Sequence, residues 1–325
     1  MTYRTTVRGS GRYLPERIMT NDDLTRLVDT SDEWIFTRTG IRQRRIAAPG
    51  ETTASMAIRA ARAALDSAGM AGEDIDLTIL ATCTPDYGFP AGACIVQDAL
   101  GARGGAYDLE AACSGFVYGL ASACSLIQAG IAHNALVIGS EIYSRVLDWH
   151  DRRTCILFGD GAGAVVVSRA GQPGALPAFR LGSDGAGAQM LILPGGGLAE
   201  VGEDGVLPRG VRMNGPETFK FGVRVVVEVA EQILRDAGLI VSDIDWLVLH
   251  QANQRIITAA AKRLGFADHQ VMSNIEHFGN TSAASIPIAL DDWVKRGAVN
   301  PGQRLLMIGF GGGLTWAATL ITWRD

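Results

Sequence analysis

The stretch LDSAG at residues 65–69 leads into DIDLTIL at 74–80, and the chain repeats this pattern as LRDAG at 234–238 leading into DIDWLVL at 243–249. The offset between the two copies is 169 residues at both ends of the pattern. Segments that keep their register over such a distance indicate an internal duplication. The sequence therefore predicts two similar halves, with a site at the seam between them.

The predicted halves are residues 1–170 and 210–325. Between them lies the interval 171–209, which is rich in glycine and proline and is predicted to be a linker and loop region.

Apolar runs rich in β-branched residues alternate with alanine-rich helical patterns along the chain. The predicted strands include 78–80, 135–138, 164–167 and 247–249, and the predicted helices are 53–68, 90–100, 114–129, 217–237, 253–264 and 282–296. Strands that alternate with helices build a mostly parallel sheet that is covered on both faces. The predicted fold class is therefore α/β, and ligands are expected at the carboxyl ends of the strands.

The composition excludes several classes of protein. A chain of 325 residues with 47% hydrophobic and 19% charged residues is typical of a globular protein and not of a disordered or fibrous one. A net charge of -5 offers no general surface for polyanions, so no nucleic acid partner is expected. No apolar run approaches the roughly 18 residues of a membrane span, and the N-terminal residues lack the apolar segment of a signal peptide. We therefore expect a cytoplasmic protein without a membrane partner.

The cysteines Cys83, Cys94, Cys113, Cys124 and Cys155 show no spacing typical of a disulfide framework or a zinc site. A cysteine in an apolar, alanine-rich stretch is by default a small buried residue. Cys113 differs because it lies just before a predicted helix, whose N-terminus stabilises a thiolate. The sequence predicts a lowered pKa and a nucleophilic sulfur for Cys113, with a buried structural cysteine as the alternative.

His250 and Asn280 are expected to lie near Cys113. His250 follows the second apolar copy of the repeat, and the offset of 167 residues between the helix ends at Gly130 and Gly297 also relates Cys113 to Asn280. Alone, such a histidine is more often structural and such an asparagine is more often a helix cap. Together, the three side chains offer a nucleophile and two neutral donors.

The glycine-rich segment GFGGGLTW at residues 309–316 lacks the lysine of a phosphate-binding loop. Its glycines permit backbone N–H groups to approach a substrate carbonyl, as an oxyanion hole requires.

Basic clusters lie at residues 38–45 and 255–263. Such clusters are usually solvated faces, and these two are also candidates for docking a phosphorylated carrier.

An ordered set of motifs resembles the β-ketoacyl-acyl-carrier-protein synthase III family. These motifs are TRTGIR at 37–42, AACSGF at 111–116, FGDGAG at 158–163, HQAN at 250–253, HFGNTSAAS at 277–285 and FGGG at 310–313. The resemblance runs from Gly9 to the C-terminus. It implies a homodimer and a thiolase-like fold in which two duplicated α/β halves form five αβαβα layers.

The activity that this resemblance implies is a decarboxylative Claisen condensation that initiates fatty acid synthesis. Cys113 takes an acyl group from acetyl-CoA or a short branched acyl-CoA. Malonyl-acyl carrier protein loses CO2, and the resulting carbanion attacks the thioester to give β-ketoacyl-acyl carrier protein. His250 and Asn280 are expected to stabilise charge on the malonyl thioester oxygen, and the backbone N–H groups of Cys113 and Gly312 to form a second oxyanion site. Neither a metal nor an organic cofactor is expected.

The resemblance also implies binding roles for other residues. Trp34 and Arg152 are expected to sandwich the adenine of CoA, with Thr30 and Arg38 near the nucleotide. Asn253 is expected to orient the pantetheine arm.

Carrier-protein docking is expected from Arg255, with Lys262 and Arg263 on the same helix. Phe89 matches a position that reaches into the acyl pocket of the partner subunit in relatives, and its presence favours a short starter group.

Four alternative functions compete with this one, and the sequence argues against three of them. A relative in secondary, polyketide-type metabolism would use the same three residues. A degradative thiolase needs a second cysteine near the C-terminus, and none follows Cys155. A noncatalytic subunit has no need of Cys113, His250 and Asn280 together, and a cysteine hydrolase would not resemble this duplicated chain.

Overall fold

The computed structural model describes residues 4–170, 178–194 and 210–324 of the chain. Its strands are β1 (Arg4–Tyr13), β2 (Arg17–Thr20), β3 (Gln43–Ile46), β4 (Leu77–Ala81), β5 (Gly105–Leu109), β6 (Asn134–Ile142), β7 (Asp160–Ala170), β8 (Ala178–Ser183), β9 (Leu191–Ile192), β10 (Arg212–Met213), β11 (Trp246–Leu249), β12 (Val271–Met272), β13 (Arg304–Gly311) and β14 (Thr315–Thr322). Its α-helices are α1 (Asn21–Leu24), α2 (Asp32–Thr39), α3 (Thr53–Ala68), α4 (Gly92–Leu100), α5 (Gly115–Gln128), α6 (Gly215–Ala237), α7 (Gln254–Leu264), α8 (Ile275–Phe278) and α9 (Ser285–Lys295).

The two larger sheets of the described residues have five strands each and the same topology. The first sheet has the order β5-β4-β6-β7-β1, and the second has the order β12-β11-β13-β14-β8. In each sheet the second strand pairs in parallel with both neighbours, while the fourth strand is antiparallel to the third and the fifth. Equivalent strands occupy equivalent places, so the duplication predicted from the repeat is confirmed.

Helices separate and cover the two sheets. On the first sheet, α3 and α4 pack on one face, while α5 and α9 lie between the sheets and contact strands of both. On the other side of the second sheet, α6 packs on β13, β14 and β8, and α7 packs beside α6. These five αβαβα layers confirm the predicted α/β class. None of the described helices has the length and apolar character that crossing a membrane requires.

The central helix α5 shows why the chain folds around this seam. Its side chains Phe116, Val117 and Leu120 are fully buried, because one side of the helix faces β4 and β6 and the other faces β13 and β14. A helix with apolar residues on two opposite sides can be buried between two sheets. The N-terminus of α5 is thereby fixed at the seam, directly after Cys113.

The outer helix α3 lies unusually close to β1. A Cβ placed at Gly9 would lie 2.5 Å from the backbone nitrogen of Ala68, and one at Gly11 would lie 2.3 Å from that of Ala64. Such short separations exclude any side chain, so the two glycines permit this helix to pack directly on the strand.

Most predicted elements are found where the sequence places them. The helix predicted at 53–68 coincides with α3, and those predicted at 90–100, 114–129, 217–237 and 253–264 match α4, α5, α6 and α7 to within two residues at each end. The helix predicted at 282–296 begins instead with a 3-10 turn, Ser282–Ala284, before α9. The four predicted strands lie within β4, β6, β7 and β11.

The prediction of a linker over 171–209 requires correction. Within it, β8 pairs with β14 and takes the edge position that β1 takes in the first sheet. The second half therefore begins at or before residue 178 rather than at 210. The sequence of β8, AFRLGS, lacks a continuous apolar run because edge strands are half exposed. Residues 171–177 and 195–209 lie outside the described residues.

Candidate active site

Cys113 is held in a 3-10 turn, Ala112–Ser114, between β5 and α5. Ala112 adopts a φ of 46°, in the left-handed region that side chains rarely adopt. The end of β13 closes over the turn, since a Cβ placed at Gly311 would lie 2.9 Å from the Cβ of Cys113. The thiol is therefore fixed by both halves of the chain, and Cys113 is 4% exposed.

The pKa of Cys113 differs from the sequence prediction. Burial raises this pKa to about 12, and the nearby carboxyls of Glu141 and Glu110 contribute in the same direction, while the Ser282 hydroxyl lowers it. The predicted position before a helix N-terminus is correct, but burial removes the hydration of the thiolate and is the largest cause of the shift. The thiol is therefore protonated at neutral pH, and the prediction of a lowered pKa is wrong.

His250 continues β11 beyond its last residue, because its backbone N–H donates to the carbonyl of Ile308 at 2.8 Å. Its ring packs edge-on against Phe310, with 5.3 Å between centroids, and its Nδ1 lies 2.7 Å from Oγ of Ser285. The residue is 1% exposed, and burial lowers the pKa of its imidazole to about 3. The imidazole is therefore neutral at physiological pH.

Asn280 is fixed by its backbone and by its side-chain oxygen. Its N–H donates to the carbonyl of Leu157 at 2.9 Å, and its carbonyl accepts from the N–H of Gly159 at 3.0 Å. Its Oδ1 accepts from the backbone N–H of Ser282 at 2.8 Å. Because the oxygen is used in this way, the amide NH2 is the group that remains for a ligand.

Cys113 and Asn280 lie in equivalent turns of the two halves, as the repeat predicts. Ala112 and Ser282 are the equivalent first residues of these turns, and both have positive φ. The local offset is 170 residues rather than 167, so Asn280 lies three residues before the counterpart of Cys113. The turns correspond, but the two side chains are not strictly equivalent.

Cys113, His250 and Asn280 line one cavity of about 620 Å³, which we call the first cavity. Arg38, Asn253 and Arg255 also line it, as do Arg153 and Lys220, which the sequence did not single out.

A second cavity, of about 630 Å³, also includes Cys113 in its wall. Gly312 lies in this wall together with the apolar side chains of Phe158, Leu191 and Val211. Cys113 therefore stands between a cavity with basic residues in its wall and a cavity whose described lining has none. Among the described residues, no three His, Cys, Asp or Glu side chains are grouped so as to hold a metal ion.

A buried glutamate lies behind the thiol. Glu141 is 0% exposed, and its carboxyl group accepts hydrogen bonds from the hydroxyls of Thr82 and Thr84 and from the backbone N–H of Cys83. Burial raises the pKa of Glu141 to about 7. The sequence offered one signal for it, a carboxylate three residues after the apolar run at 135–138, and the structure places it within β6.

The residues expected near the CoA nucleotide lie together. The guanidinium groups of Arg38 and Arg152 lie 4.6 Å and 5.1 Å from the centroid of Trp34. Arg152 also donates to the carbonyl of Asp29, and the buried hydroxyl oxygen of the adjacent Thr30 has no hydrogen-bond partner. An adenine between Trp34 and Arg152 would displace the guanidinium from the indole face.

The residues expected to contact the pantetheine arm and the carrier protein lie on and beside α7. Asn253 caps this helix by accepting from the N–H of Arg255, and its Nδ2 donates to the carbonyl of Arg38. The guanidinium of Arg255 lies 5.3 Å from the centroid of Phe219, at the edge of the first cavity. Lys262 and Arg263 are exposed in the last turn of α7, about 10 Å further along the helix.

Phe89 is 89% exposed, and nearby Tyr87 is 60% exposed. Phe89 is not among the described residues that line either cavity. Within one subunit, the side chain of Phe89 therefore does not enter the acyl pocket in which the sequence analysis expects it.

Comparisons with known proteins agree with this architecture. Residues 107–185 match the family model of 3-oxoacyl-[acyl-carrier-protein] synthase III, and residues 234–323 match the model of its C-terminal part. The chain is 50% identical over 321 residues to the β-ketoacyl-[acyl-carrier-protein] synthase III of Symbiobacterium thermophilum, covering 98% of this chain and 97% of that protein.

Solved structures show the same similarity. The 3-oxoacyl-[acyl-carrier-protein] synthase III of Aquifex aeolicus superposes with a TM-score of 0.91 at 47% identity, covering 98% of this chain and all of that one. The priming β-ketosynthase of a polyketide biosynthetic pathway superposes with a TM-score of 0.94 at 39% identity, covering all of this chain and 97% of that one. The chain therefore belongs to the β-ketoacyl-acyl-carrier-protein synthase III family.

Proposed function

We propose that this protein condenses a short acyl-CoA with malonyl-acyl carrier protein to give β-ketoacyl-acyl carrier protein, CoA and CO2, the step that initiates fatty acid synthesis. The observation that carries the proposal is the first cavity, in which a cysteine thiol shares one wall with two neutral N–H donors. Cys113 is the nucleophile, and His250 and Asn280 are the donors.

In the first half-reaction, the sulfur of Cys113 attacks the thioester carbonyl of acyl-CoA. A new bond to Cys113 replaces the bond to CoA, and the thiol proton leaves on the sulfur of CoA. Backbone N–H groups of Cys113 and Gly312 stabilise the intermediate oxyanion. The acyl chain enters the second cavity, whose wall contains Phe158, Leu191 and Val211.

In the second half-reaction, malonyl-acyl carrier protein enters the first cavity and loses CO2. Negative charge then gathers on the thioester oxygen, where the N–H groups of His250 and Asn280 stabilise it. The carbanion attacks the acyl carbon on Cys113, and the released thiolate takes up one proton. Neutral donors suit this step, because a charged imidazolium would also stabilise the malonyl carboxylate and so favour the ground state.

Binding of CoA and the carrier protein is assigned to the basic rim of the first cavity. Trp34 and Arg152 hold the adenine once the guanidinium has moved aside, with Thr30 and Arg38 near the nucleotide. Asn253 retains one amide hydrogen for the pantetheine arm, since its other amide hydrogen is donated to the carbonyl of Arg38.

Exposed Arg255, Lys262 and Arg263 on α7 provide positive charge for an acidic carrier protein. Their alignment along one helix at the cavity supports docking there.

A homodimer is the proposed assembly. In the described structure, β5 is the edge strand of the first sheet, and its residues are half exposed or exposed. The exposed rings of Phe89 and Tyr87 are typical of residues that a partner covers. In this assembly Phe89 enters the acyl cavity of the partner subunit and limits the length of the starter.

The proposed reaction needs neither a metal nor an organic cofactor, since every bond change is supplied by the two thioesters and the thiol of Cys113. We also propose a cytoplasmic location, which the free cysteines of the described residues support because thiols persist in a reducing compartment.

One alternative has specific support. The similarity to the priming β-ketosynthase of a polyketide pathway covers all of this chain. The same residues would then load a starter unit for a polyketide, and the preferred acyl group distinguishes the two roles.

The proposal is tested by supplying acetyl-, isobutyryl-, hexanoyl- or octanoyl-CoA together with malonyl-acyl carrier protein and measuring the mass of the carrier product. Acetyl- or isobutyryl-CoA should give the corresponding β-ketoacyl-acyl carrier protein. A marked preference for a longer acyl group would favour the polyketide role. No product from any of the four would contradict condensation.

A further inference from the structure

The side chain of Ser285 meets Nδ1 of His250, and Ser285 is not among the described residues that line the first cavity. Its Oγ is 2.7 Å from Nδ1 of His250, and it also accepts the backbone N–H of Gln251 at 3.3 Å. Both Ser285 and His250 are 1% exposed. The imidazole is therefore held between this hydroxyl and the ring of Phe310.

The hydrogen-bonding capacity of the hydroxyl decides the tautomer. A serine hydroxyl has one hydrogen to donate and accepts through its lone pairs. Because the oxygen already accepts from Gln251, its hydrogen is free to be donated to Nδ1. In the opposite arrangement, Nδ1–H would also donate to the oxygen, and the buried hydroxyl hydrogen would need another acceptor.

We propose that Ser285 is a positioning residue that holds His250 in the neutral tautomer with its hydrogen on Nε2. Nδ1 then accepts from Ser285, and Nε2–H is the donor presented to the first cavity. The proposal rests on the proposed function, because a donor at Nε2 is what decarboxylation of the malonyl group requires.

The same segment orients the second donor. The backbone N–H of Ser282 donates a hydrogen bond to Oδ1 of Asn280. The amide NH2 of Asn280 therefore remains available to the cavity. The turn Ser282–Ala284 and the first residue of α9 thus orient both donors from behind. Ser285 acts through its side chain, whereas Ser282 acts through its backbone. The role of Ser285 can therefore be tested by substitution.

The direct test is nitrogen NMR of the wild-type enzyme labelled at histidine, without any substrate. The spectrum of His250→Gln identifies the signals of His250. The proposal predicts a protonated Nε2 and an unprotonated Nδ1. A protonated Nδ1 in the wild-type protein overturns it, whether or not the condensation is observed.

The second test compares Ser285→Ala with Ser140→Ala. Ser140 is a matched control because it is equally buried and its hydroxyl donates to the carbonyl of Thr53. In Ser285→Ala, the histidine signals should indicate a mixture of tautomers. Decarboxylation of malonyl-acyl carrier protein should fall in kcat in proportion to the lost Nε2–H population, about twofold for an equal mixture, while acylation of Cys113 continues.

Three outcomes of this comparison overturn the proposal: a single Nε2–H tautomer retained in Ser285→Ala, unchanged decarboxylation, or an equal loss in Ser140→Ala. Should Ser285→Ala fail to fold, the wild-type spectrum still decides the tautomer. Failure of the proposed function is recognised separately, since wild-type enzyme would then form no acyl adduct.

Discussion

The side-chain oxygen of Asn280 accepts the backbone N–H of Ser282 at 2.8 Å, and this bond determines which end of the amide meets the first cavity. Asn280→Asp keeps an acceptor for Ser282 but replaces the NH2 donor with a second oxygen. We expect the rate of malonyl decarboxylation by the acylated enzyme to fall about 10²- to 10³-fold, while Cys113 is still acylated. Release of CO2 and mass spectrometry measure the two steps. Asn300→Asp, at an exposed position, is the control for added charge, and equal loss of both steps would contradict this role.

The close approach of Gly311 to Cys113 leads to a prediction for both stability and activity. In Gly311→Ala, the new Cβ would lie 2.8 Å from the backbone nitrogen of Cys113. Overpacking at this turn should reduce the free energy of unfolding by about 1–3 kcal/mol and slow acylation. Denaturant unfolding and adduct formation provide the measurements. Gly50→Ala is the matched control because nothing lies within 4 Å of a Cβ there, and an equal effect of both changes would refute the packing argument.

The two half-reactions should differ in their dependence on pH. Burial raises the pKa of Cys113 to about 12, so the thiolate fraction increases tenfold per pH unit below that value and acylation should accelerate with it. The pKa of His250 is lowered to about 3, so the donor stays neutral and decarboxylation should be flat from about pH 6 to 9. Single-turnover rates of each step check this. A plateau of the acylation rate near neutral pH would mean that the thiol ionises far more easily than its burial implies.

Glu141 should make the protein less stable as the pH rises. Its pKa is about 7 in the folded chain and 4.5 in its ordinary state, so between these values the unfolded chain loses the proton while the folded chain retains it. The stability should fall by up to about 3 kcal/mol across this interval. Burial of neutral His250 acts in the opposite direction below pH 6.5, so the wild type must be compared with Glu141→Gln. If the free energy of unfolding depended on pH identically in the wild type and in Glu141→Gln, the raised pKa of Glu141 would be contradicted.

The fold could be predicted from the sequence because a duplication leaves two copies of each buried strand. The apolar runs at 74–80 and 243–249 became β4 and β11, which are equivalent strands of the two sheets. The same repeat also predicts that equivalent turns face each other at the seam. It therefore predicts the shared site of Cys113, His250 and Asn280. The edge strand β8 was not predicted, because a half-exposed strand lacks a continuous apolar run.

The rest of the site depends on contacts between distant residues. Ser285 lies 35 positions after His250, and Thr84 lies 57 positions before Glu141, so no local pattern indicates either hydrogen bond. For Cys113, the following helix is visible in the sequence, but the desolvation of its thiol comes partly from the packing of β13. Local motifs therefore identified the reacting groups, whereas their protonation states depend on the tertiary structure.

The most direct test of the account is intact-protein mass spectrometry of wild type, Cys113→Ala, His250→Ala and Asn280→Ala. Each is incubated with acetyl-CoA and then with malonyl-acyl carrier protein. The account predicts one acetyl adduct on Cys113 in every protein except Cys113→Ala, and discharge of this adduct to β-ketoacyl-acyl carrier protein in the wild type alone. An adduct that persists in Cys113→Ala, or one that His250→Ala and Asn280→Ala discharge as fast as the wild type, would contradict it.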